Sequence, residues 1–98
     1  KGNHVSRQKV LSHLLMLPGV EEAEVIGEKQ ANGDDRLIAF LSGQVPASDA
    51  RLMSFLAGKL HAWEIPHRIL RVASIPKTST GKTDRKRLLA MAEAVFEG

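Results

Sequence analysis

The densest chemistry in the chain lies in Pro76-Lys77-Thr78-Ser79-Thr80-Gly81-Lys82-Thr83-Asp84-Arg85-Lys86-Arg87. Thr80-Gly81-Lys82-Thr83 resembles the tail of a phosphate-wrapping P-loop, with an apolar run before it and a helical pattern after it. Such a loop needs a glycine five residues before Gly81, where this chain has Pro76. Proline has no N–H and a fixed φ, so it cannot take the first turn of a phosphate nest. The residues after Lys82 are also too few to complete a doubly wound sheet or an acidic strand for magnesium. A backbone nucleotide cradle is therefore set aside.

Other chemistries fit less well. Lys77, Lys82, Arg85, Lys86 and Arg87 could meet phosphates, but no aromatic residue interleaves with them to stack bases. The net charge is only +3, and a run of this kind can also be a solvated helix start. His4, His13, His61 and His67 form no i, i+4 pair and no HExxH spacing, so no metal site is expected. No GxSxG elbow is present, and Ser74, Ser79 and Thr80 read as turn formers. What remains is one lysine on a Thr/Ser/Gly loop, with Gly81 allowing an unusual backbone angle. Lys82 is then either a mobile solvated charge or an ammonium group inserted into a partner domain's cleft.

The elements that would position Lys82 follow from hydropathy. Ser6 can cap a helix reaching Leu17, with Val10, Leu14 and Leu17 beside Leu11 and Leu15. Residues 20–27 read as a strand, and 28–35 as a polar turn carrying Asn32-Gly33. Residues 36–43 are nearly continuously apolar, which predicts a strand buried on both faces, antiparallel to the first. Ser48 is a plausible N-cap for a helix with Leu52, Met53, Leu56 and Leu60 on one stripe. Arg68–Ile75 alternates as a third strand, and a last helix from near Asp84 buries Leu88, Leu89, Ala92, Val95 and Phe96. The expected fold is a small α+β domain in the order α-β-β-α-β-α. It has a three-stranded, mainly antiparallel sheet packed with about three helices.

Ninety-eight residues suit one domain, with 43% hydrophobic and 26% charged residues, as in ordinary globular chains. The absence of cysteine rules out disulfides and thiolate chemistry and suits a reducing, cytoplasmic setting. No stretch is long enough for a membrane span, and no signal peptide is visible. The opening Lys1-Gly2-Asn3-His4-Val5 carries no initiator Met, and we read the chain as a piece of a longer protein.

Several segments together resemble the adenylate-forming ligases, the superfamily of acyl- and aryl-CoA synthetases, peptide-synthetase adenylation domains and luciferases. Residues 76–88 resemble its last core motif, P-x-T-x-x-G-K-(Val/Ile)-x-R-x-x-L. Leu17–Gly27 is similar to its hPxVxEAaVhG segment (h, apolar), and residues 33–41 and 60–76 resemble two further segments, in the family's order and spacing. The resemblance spans nearly the whole chain and implies that residues 1–98 are the small mobile C-terminal lid domain.

The resemblance also implies a mechanism. The large N-terminal domain, absent from this sequence, would bind ATP, magnesium and a carboxylic acid. Lys82 would reach that site and contact the carboxylate and α-phosphate while acyl-AMP forms and pyrophosphate leaves. The lid would then rotate for thioester formation with CoA or phosphopantetheine. Gly2 matches the glycine of a loop near the domain start that lines the thiol's path. His4 stands where many CoA ligases carry Arg. Gly81 is the glycine beside the lysine.

Thr83 departs from the usual Val or Ile, Lys9-Val10-Leu11 from Glu-Ile/Val-Glu, and Trp63 from Tyr. The expected activity is that of an acid-thiol ligase of the acyl- or aryl-CoA synthetase type. A peptide-synthetase adenylation domain loading a carrier protein is the alternative, since Thr83-Asp84-Arg85 resembles the latter's GKxDR. The 98 residues alone are expected to be inactive, with their own N-terminal domain as partner and no nucleic acid. An anion-binding basic module is the reading from another class.

Overall fold

The computed structural model describes residues 7–29 and 35–97. Helix α1 (Arg7–Leu15) leads into strands β1 (Val20–Lys29) and β2 (Asp35–Gly43). Helix α2 (Asp49–Ala57) and a 3-10 turn (Ala62–Glu64) then precede strand β3 (Arg68–Arg71), and helix α3 (Arg85–Glu97) closes the chain. The order and the α+β class are those expected. The sheet order is β1-β2-β3, with β2 antiparallel to β1 and parallel to β3. The mixed pairing follows from connectivity: α2 and its flanking loops form the crossover that parallel neighbours require.

The middle strand explains the layers. Leu37 to Ser42 are all buried, and alternate residues face opposite sides. Leu37, Ala39 and Leu41 join Val10, Leu14, Leu52, Leu56 and Leu60, so α1 and α2 cover one face. Ile38 and Phe40 join Ile26, Ile75, Leu88 and Ala92, so α3 covers the other. Burying one such Leu or Ile is worth about 1.5–3 kcal/mol.

Local chemistry sets the element ends. Ser48 Oγ accepts the Arg51 backbone N–H at 3.2 Å and caps α2 as expected. His61 precedes the 3-10 turn, and Glu64 Oε1 accepts the His61 backbone N–H at 2.9 Å. Glu64 also pairs with Lys9 Nζ at 3.2 Å, so the Lys9 departure gains an acidic partner. The His61 N–H and Lys9 hold the Glu64 carboxyl below its ordinary range, against the effect of its burial.

Three expectations need correction. Helix α1 stops at Leu15, and Leu15 is 48% exposed rather than part of the buried stripe. A helix advances 100° per residue, and the face centred on Val10 and Leu14 leaves Leu15 turned outward. Strand β3 ends at Arg71 rather than Ile75. One further backbone bond follows it, from Val72 N–H to Leu41 O at 2.8 Å, and the chain then bends at Ala73 and Ser74 while β2 runs on to Gly43. The side chains of Val95 and Phe96, and residue Ser6, lie outside the described residues.

Candidate functional site: a lysine on an anchored hairpin

Beyond β3 the chain leaves the sheet and returns to it at Ile75, which is 4% exposed in the α3-side cluster. From there it makes a small hairpin. Asp84 N–H donates to Pro76 O at 2.9 Å, Lys77 and Thr83 pair as an isolated antiparallel bridge, and Thr78 N–H donates to Lys82 O at 2.7 Å. The tip is Ser79-Thr80-Gly81, closed by Gly81 N–H to Thr78 O at 2.9 Å. Gly81 has φ +87°. A three-residue connection whose last residue is left-handed is a type I turn with a G1 bulge, and glycine is the residue that fits it.

Side chains reinforce the tip. Thr78 Oγ1 accepts the Lys82 backbone N–H at 3.3 Å and lies 3.0 Å from Thr80 Oγ1. Asp84 ends the hairpin and starts α3, its Oδ1 accepting the Arg87 N–H at 3.1 Å and its carbonyl accepting from Leu88 at 3.1 Å. Leu88 is fully buried, so the hairpin hangs between two core anchors, Ile75 and Leu88. The Thr/Ser/Gly segment is therefore an internally bonded hairpin rather than an unstructured loop.

The hairpin treats its two lysines differently. Lys77 Nζ lies 3.6 Å from Glu22 Oε2 of β1. Lys82 is exposed, and its ammonium has no hydrogen bond or ion pair among the described residues. Thr83, the departure beside it, is only partly exposed and holds the bridge to Lys77. A β-branched residue serves that extended position whether it is Val, Ile or Thr.

Behind Lys82, the first turn of α3 carries Arg85, Lys86 and Arg87, all exposed. Cations at a helix N-terminus oppose its dipole by roughly 0.3–1 kcal/mol each. This end of the domain therefore presents concentrated positive charge at a local cost to the helix. Such a conflict between local preference and fold is expected at functional positions.

Of the predicted site residues, the structure brings Lys82 and Gly81 together at the hairpin tip. Gly2 and His4 lie outside the described residues. Sequence reasoning missed Glu22, whose contacts with Ile75 and Lys77 are more than fifty residues away in sequence. Among the described residues no three His, Cys, Asp or Glu side chains cluster to hold a metal ion. No described helix is long and apolar enough to cross a membrane.

The family model for the AMP-binding enzyme C-terminal domain matches residues 10–82. Tyrocidine synthase 3 of Brevibacillus parabrevis is 35% identical over 98 residues, covering 100% of this chain and 2% of that protein. A solved four-domain nonribosomal peptide synthetase, bound to AMP and glycine, matches with TM-score 0.78 and 27% identity over 87% of this chain and 6% of its own. The fatty acyl CoA synthetase of Mycobacterium tuberculosis shares the fold, with TM-score 0.82 and 22% identity over 96% of this chain and 19% of its own. The chain thus spans a small part of each relative's length.

Proposed function

The chain belongs to the AMP-binding enzyme C-terminal domain family, and on that premise we propose that it is the lid of an ATP-dependent adenylate-forming ligase. Lys82 is the group it delivers to the reacting centre. The observation that carries this reading is the contrast on the hairpin: Lys77 is tied to Glu22, whereas Lys82 stands exposed with no partner among the described residues. An ammonium held ready in this way suits a ligand that another domain brings to it.

The chemistry follows from charge. Forming an acyl-AMP brings a carboxylate against the α-phosphate of ATP, and two anions repel. Lys82 Nζ placed between them relieves that repulsion most as the carboxylate oxygen closes on phosphorus and pyrophosphate departs. At about 4 Å such a pair is worth roughly 4 kcal/mol at an effective dielectric of 20. Only the part gained between ground and transition state accelerates the step, which bounds the effect near about three decades. The positive end of α3 adds long-range attraction for the polyanion. The acid, ATP and its magnesium are assigned to the preceding domain, because no three His, Cys, Asp or Glu side chains cluster among the described residues.

Of the two thiol acceptors, the carrier-bound phosphopantetheine arm is favoured over free CoA. The support is the 35% identity to tyrocidine synthase 3 along the whole chain. The chemistry consumes ATP and the chain has no cysteine, and we place it in the cytoplasm.

In the full-length protein, Lys82→Ala should lower ATP–pyrophosphate exchange by two to three decades, in the range of about 4 kcal/mol. Thioester formation from supplied acyl-AMP should be spared. Exchange near the wild-type rate would remove Lys82 from the mechanism. Offering CoA and a holo carrier protein in parallel separates the acceptors.

A further inference from the structure

The hairpin's internal bonds fix its shape but not its direction relative to the sheet. That direction is set where the chain enters it. Strand β3, which leads to the hairpin, lies at one edge of the sheet, and β1 lies at the other. The entering segment reaches the far edge strand, where a single carboxylate meets it twice. Glu22 Oε1 accepts the Ile75 N–H at 3.2 Å, and Oε2 lies 3.6 Å from Lys77 Nζ.

Both contacts answer a physical need. Ile75 is buried beyond the last paired residue of β3, so its N–H has no ladder carbonyl to meet. A buried N–H left without an acceptor is costly, and a carboxylate is a strong one. Lys77 sits two residues further on, at the bridge with Thr83, directly below the turn that carries Lys82. One side chain therefore ties both the core anchor and the first rung of the hairpin to β1.

We infer that Glu22 is a positioning residue for Lys82: its carboxylate sets the angle at which the hairpin leaves the domain, and so where the Lys82 ammonium arrives. This rests on the assignment of Lys82 to the adenylation step. A misplacement of about 1 Å in a reacting geometry can cost on the order of a hundredfold in rate.

The test uses the full-length protein and its two half-reactions. Pyrophosphate exchange is measured with ATP and the acid, chosen from a panel of amino, aryl and fatty acids, that the wild type turns over best. Thioester formation is measured from the corresponding synthetic acyl-AMP. Glu22→Ala should lower the exchange kcat tenfold to a hundredfold with KM for ATP within about twofold, and leave thioester formation within about twofold. Glu22→Gln keeps an acceptor for the Ile75 N–H and should recover most of the loss. Lys77→Met removes only the ionic contact and should cost a few-fold. Amide exchange at Ile75, Thr78 and Lys82 should quicken at least tenfold in Glu22→Ala, with α1 and β2 unchanged.

A merely structural role would depress both half-reactions together and quicken amide exchange throughout, and that result overturns the inference. Should Glu22→Ala fail to fold, Lys77→Met decides instead: losses of the same size in both half-reactions, or none in either, would overturn it as well. If Lys82→Ala leaves exchange intact, the lysine assignment and this inference fall together. If Lys82→Ala abolishes exchange while Glu22→Ala is indistinguishable from wild type, only this inference falls.

Discussion

Gly19 and Gly81 share one backbone conformation, φ +87°, and use it for different purposes. At Gly19, in the turn between α1 and β1, an added Cβ would lie 1.8 Å from Gln44 O. Two backbone segments meet there, and Gly43 completes the corner with a Cβ position 2.3 Å from Gly19 O. At Gly81 an added Cβ would meet nothing within 4 Å. The corner needs glycine for space and for angle, whereas the hairpin tip needs it for angle alone. The first glycine holds the body of the domain together, and the second only aims a side chain.

The largest effect expected from this contrast is at the corner. Gly19→Ala forces two main chains apart and imposes a left-handed angle on alanine. It should cost roughly 3 kcal/mol or more in urea unfolding of the domain. Both half-reactions of the full-length protein should fall with the folded fraction. A loss below about 1 kcal/mol would mean that the corner relaxes freely, and the contrast would fail.

Gly81→Ala should be much milder in stability and more selective in effect. The strain of an alanine at that angle is about 1–2 kcal/mol, and it can be relieved by rearranging a tip that packs on nothing. The urea midpoint should barely move. Adenylation should nonetheless fall about tenfold, because the bulge at Gly81 sets where Lys82 leaves the chain. Gly81→Asn, which tolerates the left-handed region better, should recover part of it. Equal losses of stability and adenylation would make the tip an ordinary structural turn.

The two regions were unequally legible in the sequence. The tip announced itself, because Gly81, Lys82 and the short polar residues around them are local chemistry, and the closing bonds run between near neighbours. The body was legible where burial is written in composition. The apolar run 36–43 became a strand covered on both faces, and Ser48 capped α2. The parallel pairing of β3 was less plain, since it depends on where α2 carries the chain. Strand β3 was overextended because Arg68–Ile75 keeps alternating through the bend at Ala73 and Ser74, and its pairing with β2 stops at Leu41. The Glu22 clamp was invisible, because a carboxylate reaching the Ile75 N–H is a tertiary contact with no periodic signature.

The smallest effect concerns the body alone and depends on pH. Glu64 joins α1 to the segment before β3, accepting from the His61 N–H and pairing with Lys9, and these partners hold its carboxyl below the ordinary value. In the unfolded chain a glutamate titrates near pH ~4.3. The folded protein thus binds that proton less readily, and the stabilisation is complete above the unfolded value. It is lost as pH falls through the lower folded value. Urea midpoints of wild type and Glu64→Gln should therefore differ by a constant amount from pH 7 to about pH 5 and converge towards pH 3. The amide oxygen of the Glu64→Gln variant would still accept the His61 N–H, so the converging part isolates the charge on Glu64. A difference that grew on acidification would reverse the sign of the proton linkage and place the stabilising form of Glu64 in the protonated state.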